Sequence, residues 1–418
     1  MKKVVKFLFE RPILIIFIII VIVFVPMMFV MQPQSQIKLI ARTIGIDKVG
    51  DEIEVTIVYY QTSTSQAYTE SYNLVSAKGK SLALALDLAS DYTGRQLVLA
   101  HTNNIAVSND VAEDNLVEYM NHFIRAYTVN KSINVFVTNI NAKQFLQDTL
   151  KTHGKSANQE STIVEHNNKY IVGKESNIEN LLISAYGPSK TALIDLLKVS
   201  SDEGEDLTEG SQSSASSNSD GSSEGSQGQS QGGEKQKKYL ENDGSVAIIH
   251  NGKKVGDLSR EEVEKLNVIN DQNQWPKIEL ENYTDENFQN ARIIFNVINK
   301  HLTYQTYFDG ETPTVLVKTN LLLTIYEALQ DNQTQTIFSP NNLYINDTMK
   351  KAISDKLKSD FYPVYQKLQD LNADAFNFYS LFHAKHNKEF EKYLQSLENR
   401  DEYLKGIKVI LQIESEGK

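Results

Sequence analysis

Residues 36–60, QIKLIARTIGIDKVGDEIEVTIVYY, alternate apolar and polar side chains on either side of Lys48-Val49-Gly50-Asp51. A period of two, interrupted by Gly-Asp turn chemistry, is the pattern of a β-hairpin. It predicts strands over 36–46 and 52–60, and a third near 71–77. At 79–90 the period changes. Leu82, Leu84, Ala85, Leu86 and Ala89 line one helical face, and Gly94 supplies the stop. Strand character returns at 96–100 and 104–107. Ser108 or Asp110 then opens a helix striped by Val111, Leu116, Met120 and Phe123. A strand at 133–138 and a helix capped by Asn141 and running to Leu150 complete the unit. Strands alternating with helices describe a mixed α/β domain.

Toward the N-terminus lies an unbroken apolar run, ILIIFIIIVIVFVPMMFVM, at 13–31. About 20 apolar residues at a 1.5 Å rise match a hydrocarbon core of roughly 30 Å. Lys2, Lys3, Lys6 and Arg11 precede it, opposed only by Glu10. That flank is expected to stay in the cytoplasm and to send everything after Met31 outward. The run is too long for a secretory signal and lacks a small-x-small cleavage site, so it reads as an uncleaved signal anchor. Pro26 is expected to kink its outer turn.

The formal charge of the 418 residues is −11. Residues 1–12 carry +3, which leaves −14 on the remainder. An acidic ectodomain repels nucleic acid and anionic headgroups, so no nucleic-acid partner is expected. With no cysteine there are no disulfides and no thiolate metal sites, a composition that suits a bacterial envelope.

Toward the C-terminus, Asn177 is expected to cap a helix through Ala185, and Pro188 to begin another through Val199. The stretch at 209–235, EGSQSSASSNSDGSSEGSQGQSQGGEK, has no large apolar residue, and 201–238 reads as a disordered spacer. Residues 245–250 and 253–258 flank Asn251-Gly252, a strong hairpin signal. Ser259-Arg260-Glu261-Glu262 forms a capping box that opens a helix to about Val268. Residues 276–282, 290–300, 302–308 and 313–327 predict antiparallel strands, with Asp309-Gly310 as one turn. A long helix from Asn346 to about Leu371 follows, expected to kink at Pro363. Helices at 374–384 and 387–397 and a strand at Ile407–Ile413 end the chain.

The expected fold class is α+β (mixed α/β): an N-terminal transmembrane helix, then a multi-domain ectodomain of mixed and antiparallel sheets flanked by helices. The expected parts are a basic cytoplasmic tail (1–12), the anchor (13–31) and an N-terminal mixed α/β domain (36–155). A middle domain (156–200 plus 239–275) is interrupted by the linker (201–238), and a C-terminal α+β domain (276–418) follows.

No enzyme signature is present: no G-x-S-x-G, P-loop, G-x-G-x-x-G or H-E-x-x-H. His383 and His386, with Glu389 nearby, are the best metal candidates, but their spacing is three and Asn387 breaks the helix between the pair and the acid. His101 at a strand end reads as a hydrogen-bonded structural group. The expectation is no catalytic, cofactor or metal residue, no cofactor and no enzymatic activity. The 20 tyrosines hint at binding surfaces.

Several stretches, in order, resemble the C subunit of bacterial spore germinant receptors, the Ger(x)C family. ARTIGID at 41–47 with the following EVTI is similar to the family's opening hairpin. KSLALALDLASDYTGRQLVLAH (80–101) resembles its helix-strand unit, and NDVAEDNLVEYMNHFIR (109–125) with INVFVTNINAKQFL (133–146) the elements after it. VAIIHNGKKVGDLSREE (246–262), YQKLQDLNADAFNFYSLFHAKHNKEFEKY (365–393) and VILQIESEG (409–417) resemble the second part. The resemblance implies three α/β-type domains with no known catalytic residues. It implies a non-enzymatic subunit on the outer face of the spore inner membrane, acting in germination with two polytopic membrane partners. Two features depart from the family: a membrane helix stands where a lipobox cysteine is usual, and the 201–238 insert is added. At the family's "fgfG", Phe376-Asn377-Phe378-Tyr379 lacks glycine, so a different local turn is expected. The alternative reading is a generic bacterial envelope binding or assembly protein with an extracytoplasmic ectodomain.

Overall fold

The computed structural model describes residues 20–21, 38–61, 71–126, 129–153, 176–201, 238–241, 244–270, 277–286, 288–330 and 344–417. The expected anchor (13–31) lies outside them except for Ile20 and Val21, which are helical and exposed. The basic tail lies wholly outside, and so does the linker between its end residues Ser201 and Lys238. No helix among the described residues is long and apolar enough to cross a membrane.

The opening hairpin forms as β1 (Lys38–Val49) and β2 (Glu52–Gln61), followed by β3 (Ser71–Gly79). Helix α1 (Leu82–Thr93) is capped by Ser81, whose Oγ accepts from Leu84 N, and ends at Gly94 with φ 62°. Strands β4 (Gln96–Val98) and β5 (Asn104–Ser108) lead into α2 (Asn109–Ala126). Then come β6 (Asn134–Thr138), α3 (Ala142–His153), α4 (Ile178–Tyr186) and β7 (Thr191–Ser201). After β8 (Lys238–Glu241) the chain adds the hairpin β9 (Val246–His250) and β10 (Lys253–Leu258), then α5 (Arg260–Leu266).

These strands make one ten-stranded sheet in the order β10-β9-β7-β6-β5-β1-β2-β3, with β4 beside β1 and β8 beside β7. Its centre, β1-β5-β6-β7, is parallel and its flanks are antiparallel. Strands from the segments expected to form separate N-terminal and middle domains therefore hydrogen-bond in a single sheet. Helices α1, α2 and α4 cover one face through Leu86, Met120, Phe123 and Leu181, and α3 covers part of the other through Phe145 and Leu146.

The segment after Pro188 is a strand, not the expected helix. Pro188 lies in the turn before β7, which pairs parallel with β6 and antiparallel with β9. Ala192, Ile194 and Leu196 pack on one face of the sheet, Leu193 and Leu197 on the other. A strand buried on both faces is continuously apolar, and periodicity alone does not separate it from a buried helix.

Helix α3 is held down by contacts distant in sequence. Asp47 at the end of β1 accepts from Ala142 N at 2.7 Å and Lys143 N at 2.8 Å, so the cap is this carboxylate rather than the expected Asn141 side chain. Lys143 Nζ meets Glu54 at 2.7 Å. A Cβ on Gly45 would lie 2.9 Å from Leu146, so glycine allows the helix to approach β1 this closely.

The second sheet runs β11 (Ile278–Tyr283), β12 (Ala291–Asp309), β13 (Thr312–Gln330) and β14 (Lys408–Gly417). The two strands expected at 290–300 and 302–308 are one strand of 19 residues. Register shifts at Ile294/Phe295 and Val297/Asn299 change which side chains face inward without ending the pairing. β14 lies parallel to β13, so the sheet is not wholly antiparallel. The crossover is made by α6 (Asp347–Asp370), α7 (Phe378–Lys385) and α8 (Asn387–Ser396). α6 is one helix through Pro363, capped by Asn346.

The β9-β10-α5 unit joins the sheets. Val246, Ile248, Leu258, Val263 and Leu266 share a core with Ile293, Phe295, Val315 and Val317 of the second sheet. The capping box of Ser259 and Glu262 is present, and Glu262 also receives Lys367 of α6 at 2.8 Å. Thr319 Oγ1 donates to Val268 O at 3.1 Å.

Asp195 of β7 is fully buried, and neither carboxylate oxygen has a hydrogen-bond partner among the described residues. Burial pushes its carboxyl up to about 8. Between pH ~4 and ~8 the folded chain therefore keeps a proton that the unfolded chain loses, and stability falls as pH rises across that window. Asp195→Asn should raise the thermal midpoint of the full chain at pH 8 and leave it nearly unchanged at pH 4. Asp47→Ala should cost about 1–2 kcal/mol in denaturant titration, the range for losing a helix cap.

Candidate functional site

A cleft opens where α4 and the Gly187–Lys190 turn face the segment 374–403. It comprises two adjoining cavities of about 260 and 640 Å³ that share Gly187 and Pro188. The first lies between Ile183, Ser184 and Ser189 on one wall and Ala375, Phe376 and Asn377 on the other. The second is walled by Tyr186, Tyr379 and Tyr403, with Lys190, His383, Arg400 and Asp401 at its mouth.

The Gly187–Lys190 turn is fixed by local bonds. Lys190 N donates to Gly187 O, and Lys190 O accepts from Asn251 N, both at 3.0 Å. Lys190 takes a left-handed φ of 49°, an uncommon conformation for this residue type. Its Nζ reaches across the cleft to Asp401 at 3.0 Å. Beside this pair His250 is buried, with Nδ1 3.0 Å from Thr191 Oγ1. Burial holds its imidazole below the usual range; Asp401 opposes that shift and Lys190 adds to it.

Asp374 organises the far wall. It accepts from Phe378 N and Tyr379 N at 2.9 Å and from Tyr403 Oη at 2.8 Å. Burial raises its pKa, and these donors pull it back down. Burial and the adjacent carboxyl raise the Tyr403 phenol. The carboxylate thus serves as the cap of α7 and as a post for Tyr403. Asn377 at the turn adopts φ 56°, so asparagine holds the left-handed position in the segment where glycine was missed. Tyr379 stacks on His383 and meets Phe390 and Tyr403 edge-on.

The three residues weighed as metal ligands do not converge. His383 is exposed, on the cleft wall, with Nε2 3.0 Å from Asn387 Nδ2. His386 donates Nε2 to Thr306 O at 2.6 Å and thereby occupies the edge of β12. Glu389 lines a separate small pocket with Lys392. Among the described residues no group of three His, Cys, Asp or Glu is placed to hold a metal ion. His101 is exposed in the turn after β4. Lys190, Asp374 and Asp401 carried no sequence signal. The nearest was the Asn-rich stretch 372–377, whose Asn372 and Asn377 both have positive φ.

Two family models match in succession. Residues 38–199 match the spore germination protein N-terminal domain, and residues 244–416 match the spore germination B3/GerAC-like C-terminal domain. Among solved structures, the crystal structure of the GerBC protein is similar, with a TM-score of 0.51 and 15% identity over 90% of this chain and 96% of that one. No curated protein matches. The fold likeness and the two ordered domain matches agree, and the chain belongs to the spore germinant receptor C-subunit family of spore germination proteins.

Proposed function

We propose that this chain is a membrane-anchored, non-enzymatic C-type subunit of a nutrient germinant receptor-like complex acting in spore germination. The observation that carries this reading is the pair of domain matches at 38–199 and 244–416, which together occupy most of the chain beyond the apolar run. The run at 13–31 with its basic flank supports a single-pass topology, with the N-terminus in the cytoplasm and the ectodomain on the outer face of the spore inner membrane or cell membrane. The part played by a lipid anchor in relatives falls here to an apolar helix. The partners of this reading are polytopic membrane subunits of the same complex.

The cleft fits a recognition role better than catalysis. Asp374 is saturated with donors, and Lys190 and Asp401 are paired with each other. A general base needs a free acceptor within reach of a substrate proton. The proposed organisation keeps the N-terminal, middle and C-terminal segments as parts of one ectodomain, with 201–238 as a spacer.

The tagged chain should co-purify with polytopic membrane proteins from mildly solubilised spore membranes. Recovery as a lone monomer from spores and vegetative cells alike would overturn the assignment. Alanine at His101, exposed and away from the cleft, should leave the germination response to nutrients intact, whereas its abolition with normal protein levels would point to chemistry at this imidazole.

A further inference from the structure

The length of chain between the apolar run and the first strand limits which surface of the ectodomain meets the bilayer. Only residues 32–37 separate Met31 from β1. At ~3.3–3.6 Å per residue they span at most about 20 Å. Lys38 must then lie within about that distance of the membrane surface. The opposite end of β1, at Val49, is about 36 Å farther along the strand at ~3.3 Å per residue. One pole of the large sheet is therefore tied to the membrane side.

The strand register fixes what that pole presents. Lys38 pairs with Gln96, Ile40 with Tyr60, and Tyr60 with Tyr72. Tyr60 and Tyr72 meet edge-on at 6.0 Å. On the other face Tyr59 lies under Arg95, 6.0 Å from the guanidinium to the ring centre. Helix α1 ends at this same pole and leaves Tyr92 in its last turn 66% exposed. β3 lies two strands from β1, roughly 10 Å at the ~4.8 Å strand spacing, which is within the reach of the tether. Tyrosines 59, 60, 72 and 92 thus ring the point where the chain enters the fold, Tyr92 exposed and the other three half-buried, with Tyr59 and Tyr72 packed partly against the cores of the two faces.

A tyrosine ring is apolar with a polar tip, which suits the headgroup level of a bilayer where one end is dry and the other wet. The charges at the rim are mixed: Lys38 and Arg95 are positive and Asp91, which adjoins Tyr92 in sequence, is negative. Charge therefore contributes little, and the rings supply the contact. We propose that this tyrosine-rimmed pole, centred on Tyr60, Tyr72 and Tyr92, rests on the lipid headgroups of the membrane that holds the chain's own apolar run. The ectodomain then stands with β1 rising away from the bilayer and the β1-β2 turn pointing outward. This rests on the anchor reading above and adds an orientation to it.

The chain contains no cysteine, so a single introduced thiol is a unique label site. Gln96→Cys, at the rim, and Asp51→Cys, at the opposite end of the sheet, are both exposed positions. Each full-length variant is labelled with an environment-sensitive fluorophore and reconstituted into phosphatidylcholine vesicles carrying acyl chains brominated near the headgroup. The label at 96 should be quenched and blue-shifted and the label at 51 should be neither. Adding Tyr92→Ser to the Gln96→Cys variant should reduce the quenching. If the chain floats with the vesicles but 96 is quenched no more than 51, the orientation is wrong while the anchor stands. If Tyr92→Ser leaves the quenching unchanged, the ring contact is wrong. Failure to float at all removes the anchor and this proposal with it.

Discussion

The structure depends on burying both faces of the parallel slab β1-β5-β6-β7. A sheet of this kind has no wet side, so it forms only where helices or another layer cover it above and below. Here α1, α2 and α4 supply one cover and α3 part of the other. The tight seat of α3 rests on Gly45 and on Asp47, a carboxylate distant in sequence from the helix it caps. With no disulfide to close the chain, these packed layers carry the stability.

The remaining face near β7 and β9 is covered by the second sheet and its helices. The β9-β10-α5 unit works as a hinge pin: its strands extend the first sheet, and its apolar side chains enter the core of the second. The cleft at Gly187 and Pro188 is a consequence of that join, because the turn before β7 and the 374–403 segment meet only along part of their length. Asp195 sits on the strand at this seam, a buried carboxyl whose two oxygens lack hydrogen-bond partners among the described residues. A buried polar group of this kind lowers stability where an apolar residue would add to it.

Local chemistry was legible wherever the physical cause is local. The β1-β2 hairpin, the Ser259 capping box, the Asn251-Gly252 turn and the apolar stripe of α2 all follow from residues within a few positions of one another. β7 was misread because a doubly buried strand has no period to show, and its environment is set by β6 and β9. The sequence divides β12 in two because the polar run Asn299-Lys300-His301 interrupts its apolar alternation, whereas pairing with β13 continues through it. The cleft was not legible at all: Lys190 and Asp401 are brought together by the packing of two sheets, and no spacing rule reaches across 211 residues. The sequence by itself determined the turns and caps whose partners lie within a few residues, such as the Asn251-Gly252 turn and the Ser259 capping box, and the family. Tertiary structure alone decided that two expected domains share one sheet, that β14 returns parallel to β13, and which side chains face each other across the cleft, because those outcomes depend on burial between surfaces distant along the chain.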